Sequence, residues 1–336
     1  MSTTAAVEKD EAGLRLDRWF KRHYPAITHG HLEKLLRTGQ VRIDGKRAKS
    51  SDRLEAGQAI RLPPQIESIQ PLPKTREAKP ISTADQSFIR SLVIHEDSST
   101  FVLNKPSGIP SQGGSGVARH IDGMLDGLQG NKRQRPRLVH RLDRDTSGVI
   151  VVARTLPAAA ALSEALRRRD AQKIYWALTK GVPKPHRGII KLALSKQGEE
   201  GRHERMRPAE EGDEGAKSAT TYYTVMGSVA YQFAWVALKP VTGRTHQLRA
   251  HLAHIGTPIV GDIKYGGIEA KGLGELEDRL HLHARTIDIA HPEGGRLHAV
   301  ATLPPHMAYA WKLFGFDPDD SSDPFAELRR SHGRLA

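Results

Sequence analysis

The chain has 336 residues, 38% of them hydrophobic, which is enough for a substantial core and for two domains. Its 51 Lys and Arg against 38 Asp and Glu give a formal charge of +13, so its natural partners are polyanions: RNA, DNA or an anionic membrane. Cysteine is absent, which excludes disulfides, thiolate nucleophiles and thiolate metal sites.

The start, MSTTAAVEKDEAG, lacks the apolar core of a signal peptide, and no run approaches the about 18 uninterrupted apolar residues of a membrane span. Residues 1–11 are expected to be flexible, and a cytoplasmic location is the default. Beyond Gly13, Leu16, Trp19, Phe20 and Tyr24 recur at helical spacing on one face, with Arg15, Arg18 and Arg22 on the other side. Thr28 can cap a second helix that carries Leu32, Leu35 and Leu36 and that Gly39 would stop. Val41 and Ile43 then alternate into Asp44-Gly45, a two-residue hairpin signal. Between Ala12 and Leu62 twelve Lys/Arg stand against five Asp/Glu, a net +7.

This region, with its run RTGQVRIDGKRAKSSDRLEAGQAIRL, resembles the S4 RNA-binding domain over residues 12–72. The resemblance implies two helices and a short hairpin presenting a basic face to folded RNA, with Arg15, Arg18, Arg37, Arg42, Lys46 and Arg47 as contacts. The plainer reading is that these charges only solvate a small domain; their one-signed clustering favours RNA. Residues 63 to about 88 carry proline without periodicity and read as a linker, assigned to 73–88 in the division of the chain.

Extended runs follow: SLVIHED, TFVLNKP, GVIVVART, KIYWALTKG, GIIKLALS, ATTYYTVMG, FAWVALKPV, LHARTIDIA and RLHAVATLP. Helical patterns are fewer, around 118–128, 157–169, 244–255 and 305–314. Many strands with scattered helices predict an α+β domain with a mainly antiparallel mixed sheet over 89–318, then a polar tail over 319–336. The segment from Lys196 to Lys217 reads as a surface loop.

In LVHRLDRDTSGVIVVA a polar stretch leads into an apolar strand, which puts its side chains on a loop at a strand edge. From the residues alone, Asp143 and Asp145 fit a metal-binding pair, two glycosidase-like carboxylates, or plain turn residues. HRLDRDTSG resembles the signature of the RluA-type pseudouridine synthases, and LNKPSG, KIYWAL, GRTHQLRAHLAHIGTPIVGDIKYG and LHA follow in that family's order from residue 89 to about 315. VHRLDRDTSG together with GIPSQGGSGVARHID is most similar to family members acting on large-subunit ribosomal RNA.

The resemblance implies an isomerase of uridine in RNA with Asp143 as nucleophile, Arg244 as the cation that keeps it ionised, and Tyr175 stacked on the target base. Arg141 would fill the place of the extracted base, Leu282 would form an apolar wall, and His246 and Arg249 would bind substrate. For Arg141 an ordinary salt bridge, for Tyr175 a core aromatic and for Arg244 a phosphate contact are the competing readings. The reaction gains no atom, so no cofactor is expected. His246, His251 and His254 spread around a helix with no carboxylate at a suitable spacing, so no metal is expected either. The implied partner is RNA, 23S ribosomal RNA or a large-subunit precursor, with no membrane and no obligate protein partner. Two rivals remain at this stage: a non-catalytic RNA-binding or ribosome-assembly factor on the same scaffold, and a metal-dependent nuclease using Asp143 and Asp145.

Overall fold

In the computed structural model the described residues are 3–8, 11–67, 81–114, 117–130, 134–168, 170–197, 205–210, 212–213, 215–271 and 274–326. They fall in two units, Met1–Pro80 and Ile81–Ala336. The first contains β1 (Thr3–Ala6), α1 (Leu16–His23), α2 (His29–Arg37), β2 (Arg42–Ile43), β3 (Lys46–Arg47), β4 (Ala59–Leu62) and the short α3 (Pro64–Glu67). Leu16, Trp19 and Phe20 of α1 and Leu32, Leu35 and Leu36 of α2 are buried, as their spacing predicts. The Thr28 hydroxyl accepts the His31 N–H at 3.3 Å and caps α2. Asp44 and Gly45 both take positive φ, 49° and 75°, the geometry of the tight turn joining β2 and β3.

The expected flexible N-terminus is instead structured over Thr3–Ala6, which pairs antiparallel with β4 at the edge of a four-stranded sheet, order β1-β4-β2-β3. Val7 behind it is 3% exposed, so burial fixes the strand.

The second unit runs α4 (Thr83–Ser91), β5 (Val93–Glu96), β6 (Thr100–Lys105), α5 (Ile121–Met124), β7 (Arg137–Leu138), β8 (Ser147–Ala153), α6 (Leu156–Ala165), β9 (Gln172–Lys180), β10 (Arg187–Lys191), β11 (Leu194–Gln197), β12 (Arg205–Pro208), β13 (Thr220–Val229), β14 (Phe233–Pro240), α7 (Gln247–His254), α8 (Ile263–Gly266), β15 (Leu282–Ala290), β16 (Arg296–Val300) and α9 (Pro305–Phe314). Its ten-stranded sheet has the order β10-β13-β14-β9-β15-β8-β6-β5, with β16 beside β15 and β7 beside β8. The fold is α+β, and every pairing in this sheet is antiparallel except β8 with β15.

Three expectations are corrected here. Residues 81–88, expected as linker, begin the second unit: Ser82 caps α4 by accepting the Asp85 N–H, and Ile89 is buried beside Phe101 and Leu103. Arg205–Pro208, expected in a loop, pairs with β11 because Met206 is buried and its N–H donates to the Tyr265 hydroxyl. Phe325, expected in a polar tail, joins a core with Trp176, Trp235 and Trp311. That core holds stacked and edge-on ring pairs, Trp176 and Trp235 having centroids 4.6 Å apart.

Candidate active site

The site lies over the central strands. Gly148, at φ 111°, lets β8 start hard against β15; a Cβ there would fall 2.2 Å from the Ala284 carbonyl oxygen. The loop entering β8 carries Arg141 and Asp143. On the neighbouring strands Tyr175 pairs with Ala284 and Leu238, and Leu282 pairs with Ala177. Ile174 and Trp176 face one core while Tyr175 and Ala177 face the other side of the sheet. A cleft of 740 Å³ results, and Asp143, Tyr175, Arg141, Leu282, Arg244, His246 and Arg249 all line it.

Backbone bonds hold the Asp143 loop in place. Lys105 is fully buried at the end of β6, and its ammonium donates to the carbonyls of Pro106, Ile109 and Arg144 at 2.9, 2.8 and 3.0 Å. Burial pushes its pKa down to about 8, against the pull of Asp145 and Asp143. Gly108 N–H donates to the same Arg144 carbonyl, and the Ser107 hydroxyl donates to the Asp145 carbonyl. Ser111 grips Leu142, the neighbour of Asp143. The LNKPSG and HRLDRDTSG motifs are therefore one hydrogen-bonded unit. Sequence reading quoted both but gave Lys105 and Ser111 no role; a lysine between an apolar strand and a Pro-Ser-Gly turn was the available signal.

Asp143 keeps 22% of its side chain exposed, and His246 Nε2 stands 3.9 Å from its Oδ2. His246 has φ 50°, a strained conformation for a residue with a Cβ, and its Nδ1 shares a 3.0 Å hydrogen bond with the Tyr265 hydroxyl. Burial lowers the His246 pKa while Asp143 opposes the shift.

The expected Arg244–Asp143 pair does not form. Arg244 is exposed and its Nε donates to the Ser218 carbonyl at 3.2 Å. Its backbone is pinned by Gln247, whose Oε1 accepts from Arg244 N–H and the Thr242 hydroxyl while Nε2 donates to the Thr220 carbonyl and the Thr221 hydroxyl. Arg249, expected to bind substrate, is 7% exposed and committed to Asp262 by two bonds of 2.8 and 2.7 Å. Burial first, then Asp143, raises the Tyr175 pKa above that of a free phenol. Arg141 stands exposed at the cleft rim, and Leu282, 3% exposed, forms a wall. Asp145 lies on an exposed bend outside this cleft, and no cluster of three or more His, Asp or Glu able to hold a metal occurs among the described residues.

In the first unit Arg18, Arg37, Lys46 and Arg47 are exposed and none has an ion-pair partner among the described residues. Arg15 pairs with Asp17 at 2.8 Å, and Arg42 turns inward to the carbonyls of Gly39 and Gly45. Both were expected on the RNA face, and short-range acceptors engage them in this structure.

A carboxylate that is the one acidic group among the described residues lining a cleft rimmed by arginines, on a chain that also carries a small basic unit, fits an enzyme that works on a nucleic acid. A family model described as RNA pseudouridylate synthase matches residues 99–254, and one for the S4 domain matches residues 14–60. The chain is 35% identical to ribosomal large subunit pseudouridine synthase C of Escherichia coli (strain K12), over 87% of this chain and 90% of that protein. It is 34% identical to RNA pseudouridine synthase 4, mitochondrial, of Arabidopsis thaliana, over 81% and 70% respectively. A solved structure of human RNA pseudouridylate synthase domain containing 4 shares 30% identity at a TM-score of 0.57, covering 70% of this chain and 98% of that one. The chain belongs to the RNA pseudouridine synthase family and carries an S4 domain.

Proposed function

We propose that the chain converts uridine to pseudouridine in large-subunit ribosomal RNA, with Asp143 as nucleophile. The observation that carries this reading is that Asp143 is the one carboxylate among the described residues lining the cleft, and that it shares the cleft with Tyr175. A carboxylate can add to a carbon, C1′ of the ribose or C6 of the base, and leave again. The N1–C1′ bond breaks, the base turns, C5 bonds to C1′, the C5 proton departs, N1 takes a proton, and Asp143 is released unchanged.

Tyr175, whose phenol burial keeps protonated at neutral pH, supplies a ring face for the uracil. Leu282 closes the apolar side. Extracting the base from a stack costs a few kcal/mol, and exposed Arg141 occupies the space it leaves. Arg244 acts from the same cleft as an exposed cation: entry of RNA exchanges its bond to Ser218 for one to Asp143 or to a phosphate. The large-subunit substrate follows from likeness to the Escherichia coli enzyme. A cytoplasmic site of action goes with it, although the Arabidopsis relative is named as mitochondrial; no described helix is long and apolar enough to cross a membrane.

Mapping pseudouridine across ribosomal and transfer RNA, with and without the protein, tests the substrate. New sites confined to large-subunit RNA are expected. New sites in transfer RNA alone would refute the substrate while leaving the reaction intact.

A further inference from the structure

Among the described residues, no Lys or Arg nitrogen and no other His nitrogen stands as close to the Asp143 carboxylate as His246 Nε2, 3.9 Å away. What that nitrogen offers depends on where the ring proton sits. Bearing hydrogen, it is a donor facing the nucleophile; bare, it is a lone pair that repels a carboxylate. The hydrogen bond made by the other ring nitrogen decides between them.

His246 Nδ1 lies 3.0 Å from the Tyr265 hydroxyl, and the Met206 N–H donates to the same hydroxyl at 2.8 Å. Burial pushes the Tyr265 pKa up to about 12, so the phenol keeps its proton at neutral pH. Among the described residues that proton has no acceptor other than His246 Nδ1. Nδ1 therefore accepts, and the hydrogen of the neutral imidazole sits on Nε2, facing Asp143. Burial, Arg249 and Lys264 disfavour the doubly protonated ring, against the pull of Asp143 and Asp262.

The Tyr265 ring is held in place on several sides. The Asp262 carboxylate accepts the Tyr265 N–H at 3.3 Å and also holds Arg249, whose guanidinium stands 5.1 Å from the ring centroid. Arg205 of β12 stands 5.4 Å from the same centroid. The His246 ring meets it edge-on, with 86° between the planes. Tyr265 itself does not line the cleft.

We propose that Tyr265 is a positioning residue for the isomerisation: by donating to His246 Nδ1 it fixes His246 as a neutral Nε2–H donor directed at Asp143. The inference rests on the reading of Asp143 as nucleophile and extends it to a residue outside the cleft. At 3.9 Å the contact is longer than a full hydrogen bond, so it orients the carboxylate without tying up an oxygen that has to attack. A charged imidazolium would instead hold Asp143 in an ion pair and blunt it as a nucleophile.

The test uses the full chain, a large-subunit ribosomal RNA transcript and single-turnover rates of the folded proteins at saturating RNA. Tyr265→Phe, His246→Asn and the double variant are compared with the parent and with Tyr223→Phe, which removes a hydroxyl bonded to the Pro185 carbonyl outside the cleft. Asn tolerates the positive φ at position 246 and is too short to bring a donor to the place of Nε2. Tyr265→Phe is expected to lose about tenfold in rate with KM within about twofold of the parent, and Tyr223→Phe to match the parent. In the His246→Asn background Tyr265→Phe should cost nothing further, because the two residues act as one unit. Nitrogen NMR of labelled histidines in the parent, with the His246 signals identified by their absence from His246→Asn, should place the proton on Nε2. A proton on Nδ1 would overturn the proposal, as would the parent rate in Tyr265→Phe or an equal loss in Tyr223→Phe. So would a full tenfold cost of Tyr265→Phe in the His246→Asn background, which would make Tyr265 a support of the fold alone. Pseudouridine formation by the parent and its loss in Asp143→Asn report on the nucleophile in the same assay, so the two readings fail separately.

Discussion

Ser111 holds the main chain of Leu142 at both of its polar atoms: its hydroxyl accepts the Leu142 N–H at 2.9 Å and donates to the Leu142 carbonyl at 2.7 Å. Ser111 is 3% exposed, so water does not compete for either bond. One buried hydroxyl thus fixes the peptide that leads into Asp143.

Ser111→Ala leaves two buried main-chain groups unsatisfied, a cost of about 2 kcal/mol, and lets the Asp143 loop drift. Urea unfolding should show the loss, and turnover at saturating RNA should fall with little change in KM. Ser111→Thr, which restores the hydroxyl, should recover part of both. Unchanged turnover in the alanine variant would remove Ser111 from the positioning of Asp143.

Arg249→Met is expected to act on folding before it acts on RNA. Asp262 is 1% exposed, and stripping its partner strands a buried carboxylate, at about 3–5 kcal/mol. The double variant Arg249→Met with Asp262→Leu should be more stable than Arg249→Met alone. Denaturant midpoints check this; a stable single variant with weakened RNA binding would return Arg249 to substrate recognition.

The pH dependence of stability follows from histidines held neutral. Burial lowers the pKa of His140 and His283 to about 3 and of His251 and His281 to about 4. A folded-state pKa below the unfolded 6.5 means the unfolded chain binds the proton first as pH falls. The stabilisation is complete above pH 6.5 and is lost progressively toward pH 4 and below. At pH 5 each of the fully buried His251, His281 and His283 has lost about 2 kcal/mol of that stabilisation. His140 Nε2 accepts the Val151 N–H at 2.9 Å, a bond that protonation abolishes. The gap in urea midpoint between the parent and His140→Gln should narrow from pH 7 to pH 5; a constant gap would refute the assignment.

The sequence made plain those elements whose signal is local. The face of α1, the Thr28 cap, the Asp44-Gly45 turn and the apolar runs of the central strands each lie within a few residues of their cause. Elements made by distant partners were hidden. β1, with two alanines, is a strand because β4 receives it, and GIIKLALS, one apolar run, splits into β10 and β11 in different sheets. At the site the motif likeness gathered the seven expected residues into one cleft but could not say which cations were already engaged. Arg249 is engaged by Asp262 thirteen residues onward and Arg244 by a carbonyl of another segment, pairings that leave no periodic trace.

The central claim, that Asp143 forms and breaks the covalent bond in the isomerisation, is tested by pseudouridine yield in large-subunit ribosomal RNA for Asp143→Asn and Asp145→Asn beside the parent. Asn keeps the size of Asp143 but cannot act as a carboxylate nucleophile, whereas Asp145 lies 53% exposed on a bend outside the cleft. No detectable yield from a folded, RNA-binding Asp143→Asn, with Asp145→Asn within about tenfold of the parent, is the predicted result. Normal yield from Asp143→Asn, or equal loss in both variants together with a requirement for divalent metal, would contradict it.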